Sequence, residues 1–327
     1  MERFVFVVAV TIAVLFGIVA AFGGPDFNFH VDIDGGGTSP VVETTAGRLE
    51  PQTYVGDELS LKHLVAFVTI TPEDRTDYLI EIDSPGGTPM PTVSADGGRV
   101  VIDGRLRGRV SRCNDDGSAE LRGYDTITTA NVPRVNIRAP RALRVSRSGA
   151  GRTEIGATQE LSLDLSGCGT VTAADVAGEL DLDVAGSGDV HAGAARHLRA
   201  DVAGSADVTV GAVAEGADVD LAGSGSVAIA SLSGEFSADG AGSGNVSVGG
   251  GAITVANIDL AGSGDVDIAA SVQTLRVSIV GSGDVDVSNT VGDIEADIAG
   301  SGGVSARAVT GAVRKEVWGS GDVNVGR

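Results

Sequence analysis

The chain has 327 residues, of which 49 are Gly and only 4% are aromatic. A core must therefore be built from Val, Ala, Leu and Ile, which suits thin, layered β structure better than a thick globular core. The formal net charge is −21. This acidic excess argues against nucleic acid as a partner, because phosphate binding needs the opposite sign.

Residues 1–24 form an apolar targeting or anchoring segment. Phe4–Phe22 is a run of 19 residues with a single polar side chain, and Gly23-Gly24-Pro25 ends it. That length is close to what a bilayer span requires. Val19-Ala20-Ala21 also offers a cleavage site for a signal peptide. Two interpretations stay open: an uncleaved transmembrane helix that anchors a periplasmic domain in the inner membrane, or export after signal cleavage.

Residues 25–57 are rich in Gly, Pro, Thr and acids and show no sustained apolar period, which predicts a flexible linker. Residues 58–148 contain short alternating apolar and polar runs, which predict strands. These runs are LVAFVTI (64–70), YLIEI (78–82), RVVIDG (99–104) and RVNIRAP (134–140). We expect them to form the first, irregular coils or the cap of the structure that follows. No helix of three turns is predicted after residue 24.

The charges are unevenly placed along the chain. From Glu160 onward there are 24 acidic residues against seven basic ones, whereas Arg99–Arg152 has twelve Arg against five acids. We interpret the Arg-rich stretch as a solvated face that balances nearby carboxylates, with contact to an anionic surface as the alternative. After export, Cys113 and Cys168 would lie in an oxidising compartment, where a disulfide is permitted. The alternative is two free thiols, with Cys168 replacing the Ser that is usual at its repeat position.

A repeat of 18–20 residues fills residues 149–327, and six of its nine spacings equal 19. Each repeat contains a G-x-G turn, and only Gly204-Ser205-Ala206 lacks the second glycine. After the turns that begin at Gly149 and Gly167, the predicted structural turn glycines are Gly186, Gly188, Gly223, Gly225, Gly242, Gly244, Gly262, Gly264, Gly281, Gly283, Gly300, Gly302, Gly319 and Gly321.

Aliphatic and acidic residues alternate on both sides of each turn. An aliphatic residue stands two positions before the first glycine in nearly every repeat, and Val stands four positions after it. The position three before the turn is acidic at Asp164, Asp183, Asp201, Asp220, Asp239, Asp259, Asp297 and Glu316. A second acidic row follows the turn at Asp189, Asp207, Asp265, Asp284 and Asp322. This period of two gives each coil one buried and one solvated face.

A strand–turn–strand unit of this length cannot bury its apolar face alone, but stacked parallel units share one continuous core. The sequence therefore predicts an all-β fold: a parallel β-helix, or β-solenoid, of roughly ten coils, with right-handed coiling as the expected hand. Trp318 replaces the usual Ala in the last coil. We interpret it as an end cap, and a binding aromatic is the alternative.

The G-S-G turns at this spacing, together with the segment VPRVNIRAPRALRVSRSGAG (132–151), resemble the GIN-domain family of auto-transporter adhesin heads. The resemblance covers roughly residues 58–327. It implies a β-helix related in shape to pectate-lyase-like folds, without a recognised catalytic set. It also implies a role in cell adhesion.

The chemistry-bearing residues do not form a catalytic pattern. His191 and His197 are six residues apart and show no metal-ligand spacing, and the repeat has one Lys and scattered Arg. The acidic rows provide weak calcium candidates at Asp183, Asp201, Asp220, Asp239, Asp259 and Asp265, because stacking would place carboxylates about 5 Å apart. The competing interpretation is that exposed acids keep the solenoid soluble and oppose edge pairing.

The sequence thus favours a non-catalytic, exported binding or structural module of the cell envelope, similar to an adhesin, with no enzyme activity. A calcium-stabilised surface repeat protein and a lyase-like polysaccharide enzyme are the two alternatives. The expected partners are a polysaccharide or an envelope or surface protein, besides the membrane through the N-terminal helix. The ligand and the oligomeric state are not determined by the sequence.

Overall fold

The computed structural model describes residues 46–106, 110–114, 118–121 and 127–326, and these residues form strands and turns without any helix. The predicted helix of residues 1–24 lies outside the described residues, as does the linker up to residue 45. Within the described part, no helix has the length and apolarity to cross a membrane.

The first nine strands are β1 (Gly47–Tyr54), β2 (Glu58–Glu73), β3 (Tyr78–Ser84), β4 (Thr92–Asp96), β5 (Arg99–Asp103), β6 (Val110–Cys113), β7 (Ala119–Leu121), β8 (Arg134–Pro140) and β9 (Ala142–Ile155). The predicted strands at 64–70, 78–82, 99–104 and 134–140 are confirmed as parts of β2, β3, β5 and β8. Strand β2 runs parallel to β5, β8 and β9, whereas β3 is antiparallel to β1 and β8. Strand β4 is antiparallel to β5. The solenoid therefore begins at β2, and antiparallel strands cover its first edge.

Strand β1 lies inside the range that the sequence predicts as a flexible linker, so that prediction extends too far toward the C-terminus. The pairing of β1 with β3 is interrupted between Leu49 and Gln52, where Pro51 stands. This break disturbs the alternation of apolar and polar residues by which a strand is recognised in a sequence. Proline cannot donate to a strand ladder and is tolerated at edge strands and bulges. The backbone of β1 is held by β3, and Arg48 forms an ion pair with Glu81.

The remaining strands form the repeat. They are β10 (Glu160–Gly167), β11 (Thr170–Ala173), β12 (Glu179–Gly186), β13 (Asp189–Ala192), β14 (Ala195–Gly204), β15 (Asp207–Gly223), β16 (Ser226–Gly242), β17 (Asn245–Val248), β18 (Gly251–Gly262), β19 (Val266–Ile268), β20 (Ser271–Gly281), β21 (Val285–Gly300), β22 (Gly303–Val309), β23 (Val313–Gly319) and β24 (Asp322–Val325). All pairings between them are parallel, which confirms the β-solenoid of about ten turns.

The first glycines of the G-x-G turns stack in a single column along one corner. Ten glycines from Gly149 to Gly319 pair in register, each with its counterpart one coil away. Along most of the column, the middle residue of each G-x-G turn donates its backbone N–H to the carbonyl oxygen of the first glycine one coil earlier, as Ser263 does to Gly242 at 2.8 Å. The turn backbone thus replaces the strand ladder at the corner.

The two glycines of a turn are required for different reasons. Gly262 has a φ of 137°, which side-chain-bearing residues rarely adopt. A Cβ at Gly262 would also collide with the carbonyl oxygen of Gly242 in the preceding coil, and at Gly264 this kind of collision, with the carbonyl oxygen of Gly244, acts without a positive φ. The second position is therefore selected by the close approach of neighbouring coils.

The core is a narrow column of aliphatic side chains whose volumes compensate between coils. Phe236 is fully buried and lies in register between Ala217 and Ala256. Gly240, a gap in the aliphatic row, faces Leu260, whose side chain occupies the space that a Cβ at Gly240 would need. At these two places a small residue makes room for a large neighbour one coil away, as close packing requires.

Arg147 lies in this core, which corrects the prediction that the whole Arg-rich stretch is a solvated face. Its side chain is 2% exposed and pairs in register with Leu61 and Leu165, because it occupies an inward position of β9. Burial lowers the pKa of Arg147 to about 10, so the side chain remains charged at neutral pH. Nη2 donates to the carbonyl of Ala150 at 2.8 Å, and Nη1 has no hydrogen-bond partner among the described residues.

Cys113 and Cys168 form a disulfide, with their Cα atoms 6.1 Å apart. Cys168 occupies the middle position of the turn that begins at Gly167, where most other repeats have Ser. The bridge therefore attaches the β6–β7 hairpin to the corner of the solenoid. The two cysteines are 55 positions apart in the sequence, and the bridge closes the loop between them.

Trp318 does not close the end of the core, contrary to the end-cap prediction. It pairs with Ala299 in the row that points outward at the corner, and it is 63% exposed. The inward positions of the same strand are Val313, Lys315 and Val317, which pair with the core residues Ile294, Ala296 and Ile298. The parity of the strand thus directs the aromatic ring away from the axis.

Candidate functional site

The acidic residues that precede the turns form one continuous row across the coils. The pairs are Asp164–Asp183, Asp183–Asp201, Asp201–Asp220, Asp220–Asp239 and Asp239–Asp259, followed by Ser278, Asp297 and Glu316 in the same register. The parallel ladder imposes this order, since each strand lies about 4.8 Å from the next. Like charges are therefore held at close range by the backbone.

Partial burial between coils changes how this row titrates. Burial, with hydrogen bonding to Asp201 and the charges of Asp201 and Asp239, raises the pKa of Asp220 to about 7. Burial is also the main cause that raises the pKa of Asp183, Asp239 and Asp259 above the ordinary value. Because a half-buried carboxylate beside another negative charge binds a proton more tightly, Asp220 is partly protonated near neutral pH.

The second acidic row, after the turns, serves the backbone. Asp265 accepts a hydrogen bond from the N–H of Asp284 at 2.9 Å, and Asp284 accepts one from the N–H of Gly303 at 2.7 Å. The side-chain oxygen of Asn245 likewise accepts a hydrogen bond from the N–H of Asp265 at 3.0 Å. These side chains connect successive coils just past the corner, and the sequence analysis did not anticipate that role.

The calcium candidates do not converge on a site. Among the described residues, no group of three or more His, Cys, Asp and Glu side chains is arranged to hold a metal ion. The reason is geometric: carboxylates in a row contact an ion from one side only, whereas Ca²⁺ needs six to eight oxygens around it. Asp183, Asp201, Asp220, Asp239 and Asp259 lie in the first row and Asp265 in the second, so the prediction also divides between two rows.

A shallow groove of about 490 Å³ crosses a different face of the solenoid, on the strands that follow the G-x-G turns. Its lining comes from five adjacent coils, beginning at Thr209, with mostly small side chains at outward positions and the buried Ile229, Val248 and Ile268 beneath them. One column contains Ala228, Ser247, Asp267 and Asp286, and the other contains Ala230, Gly249, Ala269 and Ser288. Because small side chains project little from the sheet, the surface here lies lower than its surroundings and forms the floor of the groove. The carboxylates of Asp267 and Asp286 lie toward one end.

Besides apolar side chains, the groove offers hydroxyls and the carboxylates of Asp267 and Asp286 to a ligand, and none of the described residues that line it is a cation. A lyase-like reaction requires a basic residue beside its acidic groups, and the lining lacks one. Asp267 and Asp286 are side by side on one sheet face, whereas glycoside hydrolysis uses carboxylates that flank the bond from two sides. Elsewhere, the two His lie on separate strands: His191 is exposed on β13 and His197 faces Asp218 at 3.4 Å.

No curated protein matches this chain. Solved structures do, with low identity. A "putative lipid binding protein" of Parabacteroides distasonis is 14% identical, with a TM-score of 0.40 over 85% of this chain and 97% of its own. A "putative adhesin" of the same organism is 14% identical, with a TM-score of 0.39 over 86% and 98%. A "putative adhesin" of Parabacteroides merdae is 13% identical, with a TM-score of 0.37 over 86% and 96%.

The family comparison covers most of the chain. The model of the family described as "putative auto-transporter adhesin, head GIN domain" matches residues 82–252 and 250–327. These ranges include Arg147, all the stacked G-x-G turns and every residue that lines the groove. The chain therefore belongs to the GIN-domain family of auto-transporter adhesin heads.

Proposed function

We propose that this protein is a non-catalytic binding module of the cell envelope and that its ligand is an extended polysaccharide. The observation that carries the proposal is the groove on the strands after the turns. The backbone of its floor repeats from coil to coil, so a polymer lying along the solenoid axis meets small or polar side chains at regular steps, and the carboxylates of Asp267 and Asp286 mark one end. Hydroxyl groups of a glycan can donate to Asp267 and Asp286 and exchange hydrogen bonds with Ser247 and Ser288.

Two further features support a binding role. The family to which the chain belongs is described by adhesion. The rigid register of the solenoid also presents the groove without any rearrangement, which lowers the entropic cost of binding. The apolar run Phe4–Phe22 would anchor the protein in the inner membrane or direct its export.

A groove-filling substitution tests the proposal. In the Ala228→Arg variant, a long side chain stands on the floor of the groove next to Ser247, and we expect binding to isolated envelope polysaccharide to fall by at least about tenfold, since binding at the floor is sterically blocked. The matched control is Thr172→Arg, which introduces the same side chain at an exposed position of the same row but outside the groove. Cosedimentation of the purified full chain with the polysaccharide measures both, and the thermal midpoint confirms folding.

Equal binding by the Ala228→Arg variant and the native chain would show that the groove is not the site. Release of unsaturated products from a polyuronate by the purified protein would overturn the non-catalytic assignment.

A further inference from the structure

Exposed arginines without a partner lie in the first half of the described chain. Other arginines there are engaged: ion pairs hold Arg48, Arg75, Arg99, Arg112, Arg138 and Arg141, and backbone carbonyls accept from Arg105 and Arg147. In contrast, Arg134, Arg144 and Arg152 are exposed and form no ion pair or hydrogen bond with the described residues. Their charges are therefore available to an external group.

Arg134 and Arg152 flank an aromatic ring in one row of the sheet. Phe67 on β2 pairs in register with Arg134 on β8 and with Arg152 on β9. All three lie at outward positions, because the residue that follows each of them is buried. Neighbouring strands lie about 4.8 Å apart, so the two arginine Cα atoms stand about 10 Å apart on either side of Phe67. The ring is partly exposed, and both guanidinium groups can reach a group bound above it.

Two acidic residues lie near this row, but neither binds its arginines. Asp83 on β3 pairs in register with Arg134, and Glu154 follows Arg152 by two positions on the same face. Neither carboxylate forms an ion pair with the described residues. An anion that contacts both guanidinium groups at once would therefore gain interactions that no side chain of the described part supplies.

The next row on this face offers hydrogen-bonding groups. Asn136 and Thr69 stand two positions after Arg134 and Phe67, and both are exposed. Amide and hydroxyl groups bind sugar hydroxyls, whereas a surface that enters a membrane needs several protruding apolar side chains. A single aromatic ring among polar groups suits a sugar, because the apolar C–H face of a sugar ring packs on an aromatic face.

We propose that Arg134, Phe67 and Arg152 form a second carbohydrate site, which binds an acidic sugar unit. The guanidinium groups donate to the carboxylate of the sugar, for which their planar fork is well matched, and the sugar ring packs on Phe67. The inference rests on the proposed function in taking a glycan as the ligand. It adds that this glycan carries negative charge and that a site outside the groove recognises the charge.

The second carbohydrate site and the groove lie on the same face of the solenoid. The row of Glu154 continues in register through Thr172 and His191 to Thr209, which lines the groove. These three steps span about 14 Å, so a polysaccharide along the axis can occupy both sites. The first carboxylate of the groove, Asp267, lies three coils farther on. Salt screens charges over about 8 Å, so the groove carboxylates do not oppose an acidic unit at the second site.

Digalacturonate and its dimethyl ester test the charge requirement. The ester keeps both sugar rings but lacks the carboxylates, and a disaccharide is too short to reach from the second site to the groove. In calorimetric titration of the purified full chain in mild detergent, we expect the ester to bind about tenfold more weakly than the acid. Binding of the acid should weaken as the salt concentration rises.

Substitutions then locate the binding. Arg134→Gln and Arg152→Gln should each weaken binding of digalacturonate about three- to tenfold, and the double variant should weaken it by more than about tenfold. Phe67→Leu keeps an apolar side chain without a flat ring and should weaken binding about threefold. Arg144→Gln is the matched control: it removes an equally exposed arginine from β9, on the other side of the Gly149 turn, and should leave binding unchanged. The thermal midpoint confirms that each variant is folded.

The absence of digalacturonate binding, equal binding of acid and ester, or equal losses in Arg144→Gln and Arg152→Gln would each contradict the proposal. Binding that is lost in Ala228→Arg but kept in the double variant would place the acidic sugar in the groove, which overturns this inference and leaves the proposed function intact. Binding that is lost in the double variant and kept in Ala228→Arg supports the second site, whatever the groove binds. Binding of glycerol phosphate in place of digalacturonate would identify a phosphate ligand and overturn the assignment to an acidic sugar.

Discussion

Replacing Asp220 by Asn tests whether the stacked carboxylates oppose folding at neutral pH. In the folded chain the pKa of Asp220 is raised from 3.8 to about 7 by burial and by its contact with Asp201. A group whose pKa is higher in the folded than in the unfolded state stabilises the fold below the unfolded value and loses that contribution as the pH rises through the folded one. The native protein should therefore be more stable at pH about 4 than at pH about 7.5, with the loss falling between about 4 and 7.

The size of the expected change in stability follows from the shift in the pKa of Asp220. At 1.36 kcal/mol per pH unit, a change from 3.8 to about 7 corresponds to about 4 kcal/mol as an upper bound. Water reaches this half-exposed row and screens the charges, so we expect about 1–2 kcal/mol from Asp220. The Asn amide can still donate to Asp201, so the variant keeps the hydrogen bond of the protonated acid and has no charge to lose.

Urea unfolding followed by circular dichroism at the two pH values measures the effect. Asp220→Asn should be more stable than the native chain by about 1–2 kcal/mol at the higher pH and nearly equal to it at the lower pH. Asp189→Asn, in the acidic row after the turns, is the control and should not reproduce this pH-dependent gain. If Asp220→Asn is less stable at neutral pH, or shifts stability equally at both pH values, the reasoning about the row is refuted.

Three further substitutions probe the packing, each read by the free energy of unfolding. Phe236→Ala leaves a cavity between Ala217 and Ala256 and should cost about 3–5 kcal/mol, whereas Phe236→Leu should cost less than half as much. Arg147→Met removes a buried charge from an aliphatic row and should stabilise the fold by about 1–3 kcal/mol; destabilisation would show that the hydrogen bond to the Ala150 carbonyl outweighs the cost of burying the charge. Gly283→Ala should cost about 1–3 kcal/mol through its contact with Gly264, and an unchanged stability would contradict such close stacking.

The sequence predicts the solenoid because its signals are periodic and local. The spacing of the turns sets the coil length, and the alternation around each turn determines which residues face inward. The confirmed alignment of the first glycines, from Gly149 to Gly319, follows from those two facts alone. The family resemblance rests on the same residues and is confirmed over residues 82–327.

What the sequence does not reveal depends on contacts between coils. Arg147 stands at an inward position by the same alternation, but its residue type indicates a solvated face, so burial was not expected. Trp318 replaces the usual Ala in the last coil, which suggests an end cap, whereas strand parity directs it outward. The sequence does not predict the groove, because small residues at outward positions, such as Ala228 and Gly249, look like ordinary turn-rich sequence.

Distances between spin labels at the turns test the register of the coils most directly. Ser187 and Ser301 lie six coils apart, and Ser187 and Ser320 lie seven coils apart, each at the middle position of a G-x-G turn. Labelled pairs, diluted with excess unlabelled chain, should give distances near 29 Å and 34 Å, increasing by about 4.8 Å for the added coil. Distances that do not increase in this way would show that the turns do not form a column and would contradict the stacked solenoid.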